Sequence, residues 1–262
     1  MSESPHVLEA EGLEFAYAGG EPVLRGVDLA TPAERFVCVL GPNGSGKTTL
    51  LRCLLGQLAP SRGSIHLDGR PLGAYSPREL ARQMAYVPQF PRSAFSFTVR
   101  QIVLMGRYPR MGSLGIAGAQ DREVARLAME MTDALRFADR TLEELSGGEA
   151  QCVMIARALA QQPSVTLLDE PTSHLDIRNQ LSIYRMMRRL ADDWKMAVVC
   201  VSHDVNLAAR FADRLVLMRD GRVAASGSPA EVVRPEVLSE VYGVEIESIP
   251  VPGRDAPVVL AR

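Results

Sequence analysis

Three clusters in this chain have residue types and spacings suited to phosphoryl chemistry. The first is Gly41-Pro42-Asn43-Gly44-Ser45-Gly46-Lys47-Thr48. Its glycines let backbone N–H groups curl around phosphate oxygens. A helix starting at Lys47 would add its positive end on the same side. Lys47 would reach the β- and γ-phosphates of a nucleoside triphosphate, and Thr48 would offer a hydroxyl to Mg²⁺. The adjoining Thr49 is grouped with this loop. A glycine-rich turn that only joins a strand to a helix is the competing reading. The second cluster is Val165-Thr166-Leu167-Leu168-Asp169-Glu170, an apolar run ending in two carboxylates. Asp169 is placed to hold Mg²⁺ or its water, and Glu170 to accept a proton from an attacking water. Alone, this could be a solvated acidic turn. The third is Leu145-Ser146-Gly147-Gly148-Glu149-Ala150-Gln151. Ser146 with Glu149 three residues later has the form of a capping box. A well-capped helix does not explain two glycines in its first turn, which are costly there; close backbone approach to an anion would.

The elements that must position these clusters alternate. Phe36–Leu40 is a short apolar run fitting a strand buried on both faces, and Lys47–Leu58 has helical character. Residues 7–17 and 23–30 read as strands split by a turn at 18–22, with another strand at Ser64–Leu67 before the turn Asp68-Gly69. A helix over Pro77–Met84 is opened by Ser76 and followed by a strand at Ala85–Pro88. Helices at Val99–Arg107 and about Asp121–Leu135 lie in a stretch with few strand signals. Beyond them come helix 147–161, strand 165–169, helix 177–191, strand 196–201, helix 205–211, strand 215–218 and a short tail helix opened by Pro235. This order predicts an α/β fold with a mostly parallel sheet, an N-terminal antiparallel β-subdomain and an inserted helical subdomain at about 90–160. The tail, 229–262, is expected to pack on the same domain as 1–228.

Composition narrows the function classes. A net charge of -2 excludes the basic excess of a nucleic-acid binder, and 5% aromatic residues do not suggest base-stacking platforms. Cys38, Cys53, Cys152 and Cys200 form no C-x-x-C pair and are expected to be buried and reduced. The N-terminus MSESPHVLEAEG lacks a basic region followed by an apolar core, so no secretory leader is expected. No run approaches the roughly 20 apolar residues of a membrane helix, so a membrane link is expected to come through a partner.

Together, GPNGSGKT, LSGGEAQ and LLDEP resemble the signature set of ABC ATPases over about residues 7–228. The resemblance implies that Ser146, Gly147 and Gly148 clamp the γ-phosphate of ATP held by a second copy, head to tail. It implies that Gln89 contacts Mg²⁺ or the attacking water and that His203 stabilises the γ-phosphate. Ser173-His174-Leu175-Asp176 would run along the dimer seam, with Asp176 near nucleotide. Tyr17 would stack on adenine, with Phe15 a rival. Ala150 and Cys152 stand where many members carry basic residues.

Among ABC machines, a DNA-repair type would need a long coiled-coil insert before the signature, and no sustained heptads occur there. A translation-type factor would need two cassettes, and a fused exporter membrane spans. A transporter motor with separate permease subunits is left; another transporter class or a soluble non-transport ATPase is the alternative. TVRQIVLMGRYP, DEPTSHLDIRNQ and EVLSEVYGVEIE resemble metal-chelate importers handling iron-siderophores, haem or cobalamin. This implies ATP and Mg²⁺ as cofactors and a place at the cytoplasmic face of the inner membrane. It implies permease partners docking around 89–115, including FPRSAFSF, and a periplasmic or surface substrate-binding protein acting indirectly.

Overall fold

A computed structural model describes residues 6–33, 35–89, 96–112, 115–253 and 256–262. In chain order the elements are β1 (His6–Ala16), β2 (Pro22–Pro32), β3 (Phe36–Leu40), α1 (Lys47–Leu54), β4 (Arg62–Leu67), β5 (Arg70–Pro71), α2 (Pro77–Gln83), β6 (Met84–Val87), α3 (Val99–Met105), α4 (Ala119–Met131), α5 (Gly147–Ala160), β7 (Val165–Asp169), α6 (Ile177–Asp192), β8 (Ala197–Val201), α7 (Val205–Phe211), β9 (Arg214–Arg219), β10 (Arg222–Gly227), α8 (Pro229–Val232), α9 (Pro235–Tyr242), β11 (Ile246–Ile249) and β12 (Val258–Ala261). They form two compact units, one from residues 1–74 and 187–262, the other Tyr75–Met186. The second is wider than the expected insertion at about 90–160, because it also holds β6 and β7.

In the first unit, β2, β1, β4 and β5 make an antiparallel sheet in that order. A second sheet places β3 between β8 and β9, parallel to both, with β10 antiparallel beyond β9. All five residues of β3 and of β8 are buried. That explains their unbroken apolar sequences, FVCVL and AVVCV, where a one-faced strand would alternate. The tail elements α8, α9 and the β11–β12 hairpin belong to this unit. β10 was not expected from sequence. It follows the turn Asp220-Gly221, both residues at positive φ, and an Asp-Gly pair between strands is a hairpin signal. α1 ends at Leu54, short of Leu58, because Leu55 caps it and Gly56 follows in the left-handed region.

In the second unit, β6 and β7 pair in parallel, and α3, α4 and α5 pack on one another. Their common tie is Arg107, only 4% exposed. Its guanidinium donates to the Asp121 carboxylate at 3.1 Å, to the Ala160 carbonyl at 2.7 Å and to the Gln162 side-chain oxygen at 2.9 Å. Asp121 also accepts from the Gly118 N–H at the start of α4, and this bond leads the causes holding its carboxyl below the usual range. Removing one partner of a buried, hydrogen-bonded pair strands the other. Arg107→Met is therefore expected to cost about 3 kcal/mol, read as a lower midpoint of chemical denaturation at unchanged slope.

Cys38, Cys53 and Cys200 are buried, as expected. Cys152 is a correction, being only partly buried on α5. Burial still pushes its thiol, like that of Cys53, up to about 11, so neither is a ready nucleophile near neutral pH. Among the described residues no helix is long and apolar enough to cross a membrane.

Candidate active site

The phosphate loop joins the buried end of β3 to α1, and its glycines answer to specific crowding. A Cβ on Gly41, at φ 146°, would lie 2.2 Å from the Met218 carbonyl oxygen of β9. One on Gly46, at φ 99°, would lie 3.0 Å from Leu24 and 3.1 Å from the Val23 carbonyl of β2. The loop is thus pressed between two strands in a conformation that L side chains rarely adopt. Lys47, 5% exposed, folds its ammonium over the loop and donates to the Gly41 and Pro42 carbonyls at 2.8 and 2.9 Å. α1 has Gly46 at its N-cap position and no side-chain cap, so no side chain competes with an anion for its first N–H groups. The buried Ser45 hydroxyl has no hydrogen-bond partner. A lysine ammonium, an uncapped helix start and an orphaned hydroxyl in one cradle fit a polyphosphate.

Two further expected residues belong to the same unit. Tyr17 is 45% exposed, whereas Phe15 is 8% exposed. Their rings meet edge to face at 4.9 Å, and the Tyr17 hydroxyl lies 3.4 Å from the Thr49 hydroxyl of α1. Phe15 is therefore core, and Tyr17 is the ring left open to solvent. His203 is exposed just beyond β8. β8 and β3 are neighbouring parallel strands with Val39 opposite Val201, and the Ser202 N–H donates to the Val39 carbonyl at 3.0 Å. His203 and the phosphate loop thus leave the carboxyl ends of adjacent strands, where open α/β sheets bind ligands.

The second unit gathers the carboxylates. β7 carries buried Asp169 at its end and Glu170 just beyond, and β6 runs beside it toward Gln89. The Gln89 side-chain N–H donates to the Glu170 carboxylate at 2.9 Å, and the Tyr86 hydroxyl lies 3.4 Å from that of Asp169. Glu170 sits at φ 46°, a strained setting for a residue with a Cβ, of the kind that clusters at functional sites. The Ser173 hydroxyl donates to the Glu170 carbonyl at 3.0 Å and helps hold that turn. The Asp169 carboxylate and the Gln89 side-chain oxygen are donors of the kind that Mg²⁺ takes, since it accepts few protein oxygens and completes its shell with phosphates and water.

At the start of α5, Ser146 and Glu149 form the expected capping box. The Ser146 hydroxyl donates to the Glu149 carboxylate at 2.7 Å, and the Ser146 N–H donates to it at 2.9 Å. These bonds lower the carboxyl's pKa. Ser146 and Gly147 are exposed and Gly148 is buried. The need for Gly148 has a source inside the chain, not only in an approaching anion. A Cβ there would meet the Asn179 side chain at 2.7 Å. Asn179 is itself clasped by Asp176, which accepts from its backbone N–H at 2.8 Å and its amide at 3.1 Å. Asp176 therefore caps α6 and holds the side chain that packs on the signature helix. Asn179 escaped notice in the sequence, although an Asx-type cap three residues before it was a usable signal. Gly148→Ala is expected to lower ATP turnover and cost about 2 kcal/mol of stability, with Asn179→Ala in the same chain restoring most of the stability. Gln151 on α5 reaches the Pro88 carbonyl at 3.3 Å, linking the signature helix to the segment before Gln89.

α3 and the segment after it line a groove of about 210 Å³ with Phe97, Gln101, Leu104, Met105, Tyr108 and Met111 among its walls. Of the FPRSAFSF stretch expected at a docking surface, Phe90 to Phe95 lie outside the described residues.

Comparison with known proteins gives a consistent result. The sequence model of the family described as "ABC transporter" matches residues 24–173. The hemin import ATP-binding protein HmuV of Escherichia coli O157:H7 is 38% identical over 97% of this chain and 99% of its own length. A solved structure described as a metal-chelate type ABC transporter, in an inward-facing conformation, superposes with TM-score 0.85 at 29% identity, over 98% of this chain and 97% of that one. The ATP-binding cassette MJ0796, a dimer in a post-hydrolysis state with ADP and Pi, superposes with TM-score 0.75 at 28% identity, over 85% and 98% of the two chains.

Proposed function

We propose, from the premise that this chain belongs to the ABC transporter family and is its ATP-binding, ATP-hydrolysing cassette, that it energises import of a metal chelate, haem foremost, across the bacterial inner membrane. The observation that carries the cargo reading is full-length similarity to a hemin import ATPase together with the backbone match to a metal-chelate transporter.

In this reading Lys47 and the loop Gly41–Thr49 hold the phosphates while Tyr17 stacks on adenine. Thr48, Asp169 and Gln89 would hold Mg²⁺, which neutralises charge on the phosphates. Glu170, oriented by Gln89, accepts the proton of the attacking water. His203 donates to the γ-phosphate as charge develops. Ser146, Gly147 and Gly148 of a second copy close the site, and Asp176 lies at that seam; the dimeric MJ0796 cassette supports this arrangement. The exposed Ser146–Gly147 tip suits such an approach. The apolar groove beside α3 receives a segment of the permease, and the chain works at the cytoplasmic face as a peripheral subunit. A separate binding protein delivers cargo, so no residue here need touch it.

The test is reconstitution of this chain with its co-purified membrane partner in liposomes, with ATPase activity measured against haem, a ferric siderophore and cobalamin. Stimulation by haem above the others is expected. Stimulation by a siderophore or cobalamin alone would overturn the haem assignment, and co-purification with DNA or ribosomes in place of a membrane protein would overturn the transporter reading.

A further inference from the structure

Three residues beyond His203, the Asn206 side chain bonds twice to a single distant peptide group. Its amide N–H donates to the Val259 carbonyl at 3.1 Å, and its amide oxygen accepts from the Val259 N–H at 2.9 Å. Asn206 lies in the first turn of α7, and Val259 lies in β12, near the far end of the sequence. A single hydrogen bond lets a side chain swivel; a donor–acceptor pair on one peptide fixes both place and orientation. The same turn is held from its other side by Asp204, which accepts from the Leu207 N–H at 2.7 Å. His203 stands on this short, doubly tied turn.

The tail also reaches the phosphate loop. Tyr242, the last residue of α9, places its hydroxyl in a buried position. Burial pushes its phenol up to about 12, with Cys38 of β3 and the Gly41 backbone beside it. His203, Asn206, Tyr242, Val244 and Val259 line one shared cavity. The segment after α8 thus meets the His203 turn through Asn206 and the start of the loop, at Gly41, through Tyr242.

We propose that Asn206 is a positioning residue, which braces the His203 turn against the C-terminal hairpin and so sets where the imidazole meets the γ-phosphate. The inference rests on the reading of His203 given above. A histidine displaced by a fraction of an ångström loses much of its effect on the transition state, because that effect depends on alignment with developing charge. The hairpin then acts on the ATPase site through Asn206.

The test compares Asn206→Ala, Asn206→Asp, His203→Ala and the double variant His203→Ala/Asn206→Ala in the full chain, by kcat, KM for ATP and melting temperature. Asn206→Ala is expected to lower kcat about tenfold with KM within about twofold. Asn206→Asp, which keeps the acceptor for the Val259 N–H, is expected to recover part of that loss. In the His203→Ala background, Asn206→Ala is expected to change the residual kcat by less than about twofold, since no imidazole is left to misplace. Unchanged kcat in Asn206→Ala, or an equal loss in both backgrounds, would overturn the positioning role and leave the His203 assignment standing. Wild-type turnover in His203→Ala would instead overturn the assignment of His203 itself, and this inference with it.

Discussion

Glu170→Gln is expected to lower ATP turnover by about a thousandfold while ATP binding and ATP-dependent pairing of two copies persist. Glutamine matches glutamate in size and can still meet Gln89, whose N–H now donates to the carboxylate at 2.9 Å. What it cannot do is accept the proton of water, since an amide is a far weaker base than a carboxylate. The backbone at 170, at φ 46° in this chain, is expected to be the same in the variant, so the strain of that turn should cancel from the comparison. Single-turnover hydrolysis and light scattering with Mg-ATP separate the two effects. Near-normal turnover would remove Glu170 from the mechanism. Loss of pairing together with turnover would mean that the residue shapes the site and is not its base.

Lys47→Ala is expected to weaken ATP binding by about a hundredfold, roughly 2.7 kcal/mol, through loss of the one side-chain cation of the loop. Its ammonium already lies over the loop, held by the Gly41 and Pro42 carbonyls. It can exchange these carbonyl partners for phosphate oxygens, and its buried stem is pre-ordered. The fold should lose only about 1 kcal/mol, because each carbonyl loses a single hydrogen bond. Lys47→Arg should not restore binding: a planar guanidinium cannot occupy the small space that an ammonium fills between those carbonyls. Nucleotide titration by calorimetry, beside thermal melts without nucleotide, checks both statements. A variant that binds ATP normally would show that the loop's N–H groups suffice.

The phosphate loop, the capped signature helix and the acidic end of β7 were all legible as contiguous residues. Each depends on short-range physics: glycine's access to positive φ, a serine accepting from an N–H three residues on, and an unbroken apolar run buried on both faces. The parallel core was legible for the same reason, since Phe36–Leu40 and Ala197–Val201 do not alternate. β10 and the tail hairpin passed unnoticed because they are short edge pairings whose ladders gain little from composition.

Tertiary structure decided what depends on which distant atoms come close. Phe15 and Tyr17 are two positions apart, as residues on one face of a strand would be, and only the packing buries the first and leaves the second exposed beside Thr49. The reason for Gly148 lies in Asn179, and that for Gly41 in the carbonyl of Met218. The brace behind His203 joins residues 53 positions apart. Chemistry written into a run of neighbouring residues could be read from the chain alone. Constraints set by excluded volume and by hydrogen bonds between remote segments exist only once the chain has closed on itself.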